Sequence, residues 1–290
     1  MNAQWSIENK KVLITGGTDG IGKVTALELA KHGAHVILVG RNPQKTENTV
    51  REIRRASGNE KVDYLLADLS EQNEVRRIAA EYRRRYDLLH VLINNAGAFF
   101  AKRELTGDGL EKTFALNHLA YFLLTNLLLD LLIKSAPARI INVSSAAHFG
   151  GRINFDDLNA EKGYNGWGAY SNSKLMNVLF TFELARRLEG TGVTANCLHP
   201  GFVATQFGKN NGGLIRWGFD FAQQIGAISP QKGAETTIYL AVSPDVEAVT
   251  GKYFDQKRAV APSRLSQDEE TARRLWEVSL ELTGLKETIG

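Results

Sequence analysis

The chain has 290 residues, of which 43% are apolar and 23% charged, with 27 Gly and only 6 Pro. These proportions exclude a disordered or fibrous chain and leave one large domain or two small ones. Lys and Arg number 35 against 32 Asp and Glu, a net charge of +3, which is no electrostatic footprint for nucleic acid or a membrane surface.

Short β-branched runs alternate with longer helical segments from the start. The pattern predicts a strand from Lys11 to Thr15, a helix from Ile21 to His32 stopped by Gly33, and a strand from His35 to Val39. A helix over Pro43 to Ser57 has Pro at its start and Gly58 after its end, the usual asymmetry of helix termini. A strand at Val62 to Ala67, a helix at Glu71 to Arg85 and a strand at Leu89 to Ile93 follow. Arg76, Arg77 and Arg83 to Arg85 alternate with Glu74, Glu81 and Asp87, and read as a solvated helix face.

One long helix is expected within Gly109 to Lys134, then a strand at Arg139 to Val143 and a helix from about Gly168 to Leu188. A strand at Val193 to Leu198, a helix near Ser229 to Ala241, a short strand at Lys252 to Phe254 and an amphipathic helix at Gln267 to Leu282 complete the chain. Such alternation predicts an α/β fold: a doubly wound parallel sheet of about seven strands with helices on both faces. With no linker or composition break, residues 1–290 read as one domain. The single cysteine, Cys197, lies in an apolar run and reads as core. The N-terminus lacks a signal-peptide layout, and the apolar stretch Leu119 to Ile133 is interrupted by Asn126 and Asp130. We therefore expect a cytoplasmic protein with no transmembrane anchor.

Between the first strand and first helix lies Thr15-Gly16-Gly17-Thr18-Asp19-Gly20-Ile21-Gly22. Glycines let a backbone approach a pyrophosphate, and the helix start offers unpaired N–H groups to an anion. The spacing is Gly-x-x-x-Gly-x-Gly rather than the generic Gly-x-Gly-x-x-Gly. After the second strand stands Arg41 where an acidic residue would bind a ribose 2′-hydroxyl. A guanidinium there suits a 2′-phosphate, favouring NADP(H) over NAD(H), although a solvated loop cation is the other reading. Asp19, inside the loop, argues against a second negative charge nearby.

Tyr170 and Lys174 stand four apart in a predicted helix and so share a face. A free phenol has a pKa of ~10; an adjacent ammonium lowers it and makes the tyrosine usable as a general acid/base. Asn94-Asn95-Ala96-Gly97 after the fourth strand, Val143-Ser144-Ser145 ending the fifth, and Pro200-Gly201 after the sixth complete an ordered set. With these motifs the sequence resembles the short-chain dehydrogenase/reductase family in its compact Rossmann-type form, over about residues 8 to 255.

The resemblance implies a catalytic tetrad of Asn117, Ser145, Tyr170 and Lys174. Tyr170 would exchange the proton and Ser145 would steady the reacting oxygen, with Ser144 the competing serine. Lys174 would hold the nicotinamide ribose and depress the Tyr170 pKa, and Asn117 would hold a water linking Lys174 to solvent. Gly16, Thr18, Asp19, Gly20, Ile21 and Gly22 would carry the phosphates. Asp68 and Leu69 would lie at the adenine, with helix capping an alternative role for Asp68. Asn94, Ala96 and Gly97 would line the ribose side, and Pro200, Gly201, Val203 and Thr205 the nicotinamide.

The run from Arg139 to His148, Ile153 to Leu158, Leu175 to Phe180 and His199-Pro200-Gly201 resemble the retinol dehydrogenase-like branch. This implies a lipophilic alcohol or carbonyl substrate and a homodimer or homotetramer built on the long helices. The segment 205–228, with Phe207 and Trp217 among glycines, reads either as a cover over the substrate or as a packed surface helix. His148 is a pocket candidate or a structural histidine. One cysteine and six scattered histidines offer no metal-ligand spacing. A cofactor-binding sensor without turnover is the alternative function.

Overall fold

In the computed structural model, residues 4–201 and 228–287 are described. Alternation along each strand sends neighbouring side chains to opposite faces. In β1 (Lys11–Thr15) Leu13 joins one apolar layer, while Val12 and Ile14 join the other. The same division holds for Ile37 against Val36 and Leu38 in β2 (His35–Gly40). Both faces are therefore covered, as the near-continuous apolar runs require.

The remaining strands are β3 (Val62–Leu66), β4 (Val91–Asn94), β5 (Ala138–Val143), β6 (Val193–His199), β7 (Tyr253–Asp255) and β8 (Arg258–Val260). Among the described residues they form one eight-stranded sheet in the order β3-β2-β1-β4-β5-β6-β7-β8. All neighbours are parallel except β7 and β8. The expected count was about seven; the eighth strand is fully exposed and has no apolar run to announce it. Gln256 and Lys257 connect it at φ 46° and 66°, the left-handed geometry of a tight hairpin turn.

One face carries α1 (Gly20–Lys31), α2 (Pro43–Ser57) and Pro230–Val242 as α8. The other carries α3 (Gln72–Arg85), the 112–134 segment and α7 (Gly166–Arg187). The single helix expected at 109–134 is broken. α4 (Lys112–Phe114) runs into a π-turn at Ala115–Leu119, followed by α5 (Ala120–Leu127) and α6 (Leu129–Lys134). The final helix, α9 (Glu269–Thr283), starts on an Asp268 cap and ends at Gly284, φ 61°. It lies against α7 and the 112–134 segment, with Trp276 4.9 Å from Phe122 and 5.9 Å from Phe180. That part of the long-helix surface is thus covered by the chain itself. Among the described residues no helix is long and apolar enough to cross a membrane.

Candidate active site

Strand order reverses between β1 and β4, and the crevice outside the carboxyl ends of the strands at such a reversal is the usual ligand position in a doubly wound sheet. The glycine loop sits there. Gly16 and Gly20 have φ of +66° and +46°, which side chains rarely adopt. Asp19 caps α1 by accepting from the Gly20 N–H at 2.7 Å. A neighbouring asparagine that the sequence reading had assigned no role anchors this loop. Asn95 Nδ2 donates to the Thr15 carbonyl (2.8 Å) and the Gly16 carbonyl (3.3 Å), and Thr15 Oγ1 accepts from the Asn95 and Ala96 N–H groups.

Asn94 ties the sheet together. Its side chain is fully buried and donates to Thr125 Oγ1 (3.0 Å) and Asn142 Oδ1 (2.9 Å), tying β4 to α5 and β5. An amide spent inside the sheet leaves only backbone to offer a nucleotide. Leu69 is likewise buried in the apolar layer beneath α3, so its backbone is the edge available to a base.

At the adenosine end Arg41 Nη1 lies 3.3 Å from Asp68 Oδ2. Burial raises the Asp68 carboxyl, but two hydrogen bonds from Ser70 and the Arg41 charge outweigh it and hold it below the usual range. Lys45, on the first turn of α2, pairs with Asp19 at 2.5 Å. The charge of Asp19 that argued against a phosphate is thus matched by a second cation. Lys45 was not anticipated, since its partner lies 26 residues away.

At the reactive end Tyr170 and Lys174 lie one turn apart on α7, 9% and 4% exposed. Lys174 Nζ donates to the Val143 carbonyl at 3.0 Å and stands 5.6 Å from the Tyr170 ring centre. Of the two serines, Ser144 donates its hydroxyl to the Lys174 carbonyl at 2.7 Å. Ser145 is the one hydrogen-bonded to the phenol. It also caps the 3₁₀ turn Ala146–Gly150.

Burial pushes Tyr170 up to about 12, with the Ser145 bond pulling down, and pushes Lys174 down to about 7. Desolvation, which disfavours the charged form, is the first cause for both groups.

Asn117 holds the loop after β4. Its Oδ1 accepts from the Ala98 N–H (2.9 Å), and its Nδ2 donates to the Ala98 carbonyl and to Ser173 Oγ (3.0 Å each). Both amide hydrogens and the oxygen are engaged, so the side chain clamps that loop. That loop brings Gly97 beside Lys174: a Cβ on Gly97 would stand 3.3 Å from Asn117 Oδ1 and 3.4 Å from Lys174 Nζ.

Of the two readings of His148, its contacts favour the structural one. It is fully buried, with Nδ1 2.7 Å from the Ser145 carbonyl and Nε2 accepting from the Ser263 N–H at 3.1 Å. Pro200 and Gly201 follow β6, and Gly201 has φ +87°. Val203, Thr205, Phe207 and Trp217 lie outside the described residues. Trp167, one helical turn before Tyr170, stands beside it. Trp167 is 56% exposed and its ring is 5.9 Å from that of Tyr170, while Phe99 meets Tyr170 edge-on at 6.4 Å. The i, i+3 spacing was a signal that could have found it.

The chain is similar to known proteins over most of its length. The family model described as short chain dehydrogenase matches residues 10–213. Retinol dehydrogenase 13 of Homo sapiens is 45% identical over 288 residues, covering 97% of this chain and 86% of the relative. An uncharacterized protein from Mycobacterium paratuberculosis has a crystal structure 34% identical, with TM-score 0.79, covering 98% of this chain and 99% of its own. The Pseudomonas aeruginosa RhlG/NADP active-site complex is 27% identical with TM-score 0.68, covering 88% of this chain and 97% of its own. Likeness of this extent in sequence and fold means that the chain belongs to the short-chain dehydrogenase/reductase family, on its retinol dehydrogenase-like side, and is an oxidoreductase acting on CH–OH groups.

Proposed function

We propose that the chain interconverts a lipophilic alcohol and its aldehyde or ketone with NADP(H), using Tyr170 as the proton donor and acceptor. The observation that carries this is the buried phenol bonded to Ser145 and one turn from Lys174, at the carboxyl end of β5. The residues present fit a dinucleotide. The positive-φ glycines and the start of α1 suit a pyrophosphate. The bare Gly97 leaves room before Lys174 that a side chain would narrow. When bound, the nicotinamide supplies or takes the hydride. The protein holds the substrate oxygen between Ser145 and Tyr170, and Lys174 holds the ribose. In reduction the phenolic proton passes to that oxygen; in oxidation it returns. A Ser145–Tyr170 hydrogen bond one helical turn from a buried Lys174 speaks against an idle sensor.

Arg41 and Lys45 stand within one helical turn of each other, each paired with a carboxylate that a 2′-phosphate would replace. Arg41→Ala and Lys45→Ala are each expected to lower kcat/KM with NADPH by about tenfold, the worth of one charge-assisted bond, and to leave NADH unaffected. Steady-state kinetics with both cofactors checks this; equal losses with the two would remove the assignment. The NADP complex of the Pseudomonas relative points the same way.

The lipophilic substrate rests on the aromatic wall of Phe99, Tyr170 and Trp167. Trp167→Ala should raise KM for a bulky apolar aldehyde by about tenfold, the value of a modest apolar contact. KM for acetaldehyde or propanal, too small to reach the Trp167 ring, should stay unchanged. A rise shared by both substrates would contradict this role.

A further inference from the structure

Asn117 and His118 are neighbours in the π-turn, both fully buried and facing different partners. Asn117 reaches Ala98 and Ser173. His118 reaches the C-terminal helix, with Nε2 3.0 Å from Ser279 Oγ. The direction of that bond follows from its surroundings. Ser279 donates its own hydroxyl to the Leu275 carbonyl at 2.7 Å, so its oxygen accepts, and His118 carries its proton on Nε2. Burial pushes the imidazole down to about 3, with Asn177 of α7 acting in the opposite sense, so the neutral donor form holds throughout the working pH range. The ring is further gripped by a stack on Phe114 at 5.7 Å and an edge contact with Phe180 at 6.2 Å.

A π-turn is rare and occurs mostly as a single-turn bulge inside an α-helix, frequently at a functional site. Here both buried polar side chains of the turn are held, one from the crevice side and one from α9. The stretch matching the family model ends at residue 213, so Ser279 lies outside it. We propose that His118 and Ser279 are positioning residues: through them the C-terminal helix keeps the π-turn in the register that lets Asn117 clamp Ala98 and so set Gly97 beside Lys174. The proposal rests on the reading of Tyr170 and Lys174 as the reactive pair. The chain from α9 to the crevice is Ser279, His118, Asn117, Ala98, with a hydrogen bond or a peptide link at each step.

The test compares two hydroxyl deletions on α9 in the full-length protein. Ser279→Ala removes the acceptor of His118. Thr283→Ala removes a comparable buried bond, from Thr283 Oγ1 to the Ser279 carbonyl at 2.6 Å, without touching His118. Ser279→Ala should lower kcat about tenfold, inside the ~10²-fold that a 1 Å misplacement can cost, with both KM values within about twofold. Thr283→Ala should lose a similar few degrees of Tm with kcat unchanged, and Ser279→Thr, which keeps the hydroxyl, should restore kcat. Equal kcat in Ser279→Ala and Thr283→Ala overturns the proposal, as does a deficit that Ser279→Thr does not restore. If Ser279→Ala does not accumulate as folded protein, His118→Asn takes its place with the same expectation. Wild-type turnover by Tyr170→Phe would instead overturn the underlying reading of the site, so the two failures are separable.

Discussion

Tyr170→Phe is expected to lose roughly 10²–10⁴ in turnover while still binding the cofactor, the range for removal of a positioned general acid/base. The substitution deletes one oxygen. The ring that meets Phe99 at 6.4 Å and Trp167 at 5.9 Å stays in place. Lys174 keeps its bond to the Val143 carbonyl, and Ser144 keeps its hold on the Lys174 carbonyl. The crevice and the lysine therefore survive, and what disappears is the proton that Ser145 orients. Turnover should be followed by NADPH absorbance and cofactor binding by fluorescence titration. Turnover near that of the wild type would sink the assignment of Tyr170.

The sign of the pH dependence follows from the same burial. With the phenol pushed up to about 12, Tyr170 is protonated throughout the neutral range. Reduction draws on that proton and so keeps its acid; oxidation needs the deprotonated oxygen, and its kcat/KM should rise with pH. The opposite slopes would mean that another group supplies the proton.

One helix with strong signals at both ends was legible to the residue, and the other unbroken ones shifted by one to two residues. Pro43–Ser57 appears with its predicted bounds because Pro43 opens it and Gly58, at φ 69°, closes it. The π-turn was not legible. The stretch from Leu119 to Ile133 is apolar enough to read as unbroken helix, and what bends the chain before it are partners at residues 98, 173 and 279. Asn94 and Asn95 show the same limit on a smaller scale. The strand pleat sends adjacent side chains to opposite sides, and only the packed sheet decides which amide enters it and which ties down the glycine loop. Ser144 and Ser145 were distinguished at the sequence level by resemblance alone; the bond from Ser144 to the Lys174 carbonyl supplies the physical reason. His148 stayed open between pocket and structural readings because its second partner, the Ser263 N–H, lies 115 residues away.

Gly22→Ala is expected to abolish most cofactor affinity. A Cβ there would stand 2.2 Å from the Gly16 carbonyl oxygen and 2.7 Å from Asn95 Nδ2. Neither neighbour can swing aside: the first is backbone, and the second is the amide that holds the Thr15 and Gly16 carbonyls. The first turn of α1 and the glycine loop must therefore move apart, and these are the two pieces whose N–H groups would face the pyrophosphate. Overpacking of this kind costs about 1–3 kcal/mol, which is about 5- to 150-fold in affinity if the loop absorbs it. Gly17→Ala is the informative contrast, because its Cβ would meet the Leu38 Cδ2 methyl at 2.7 Å, a side-chain end that can rotate. The two variants should lose similar amounts of apolar fit in thermal melts, but only Gly22→Ala should weaken NADPH in a fluorescence titration. If Gly22→Ala binds NADPH as the wild type does, the loop is not the phosphate cradle, because no arrangement of these atoms accommodates that methyl group without displacing it.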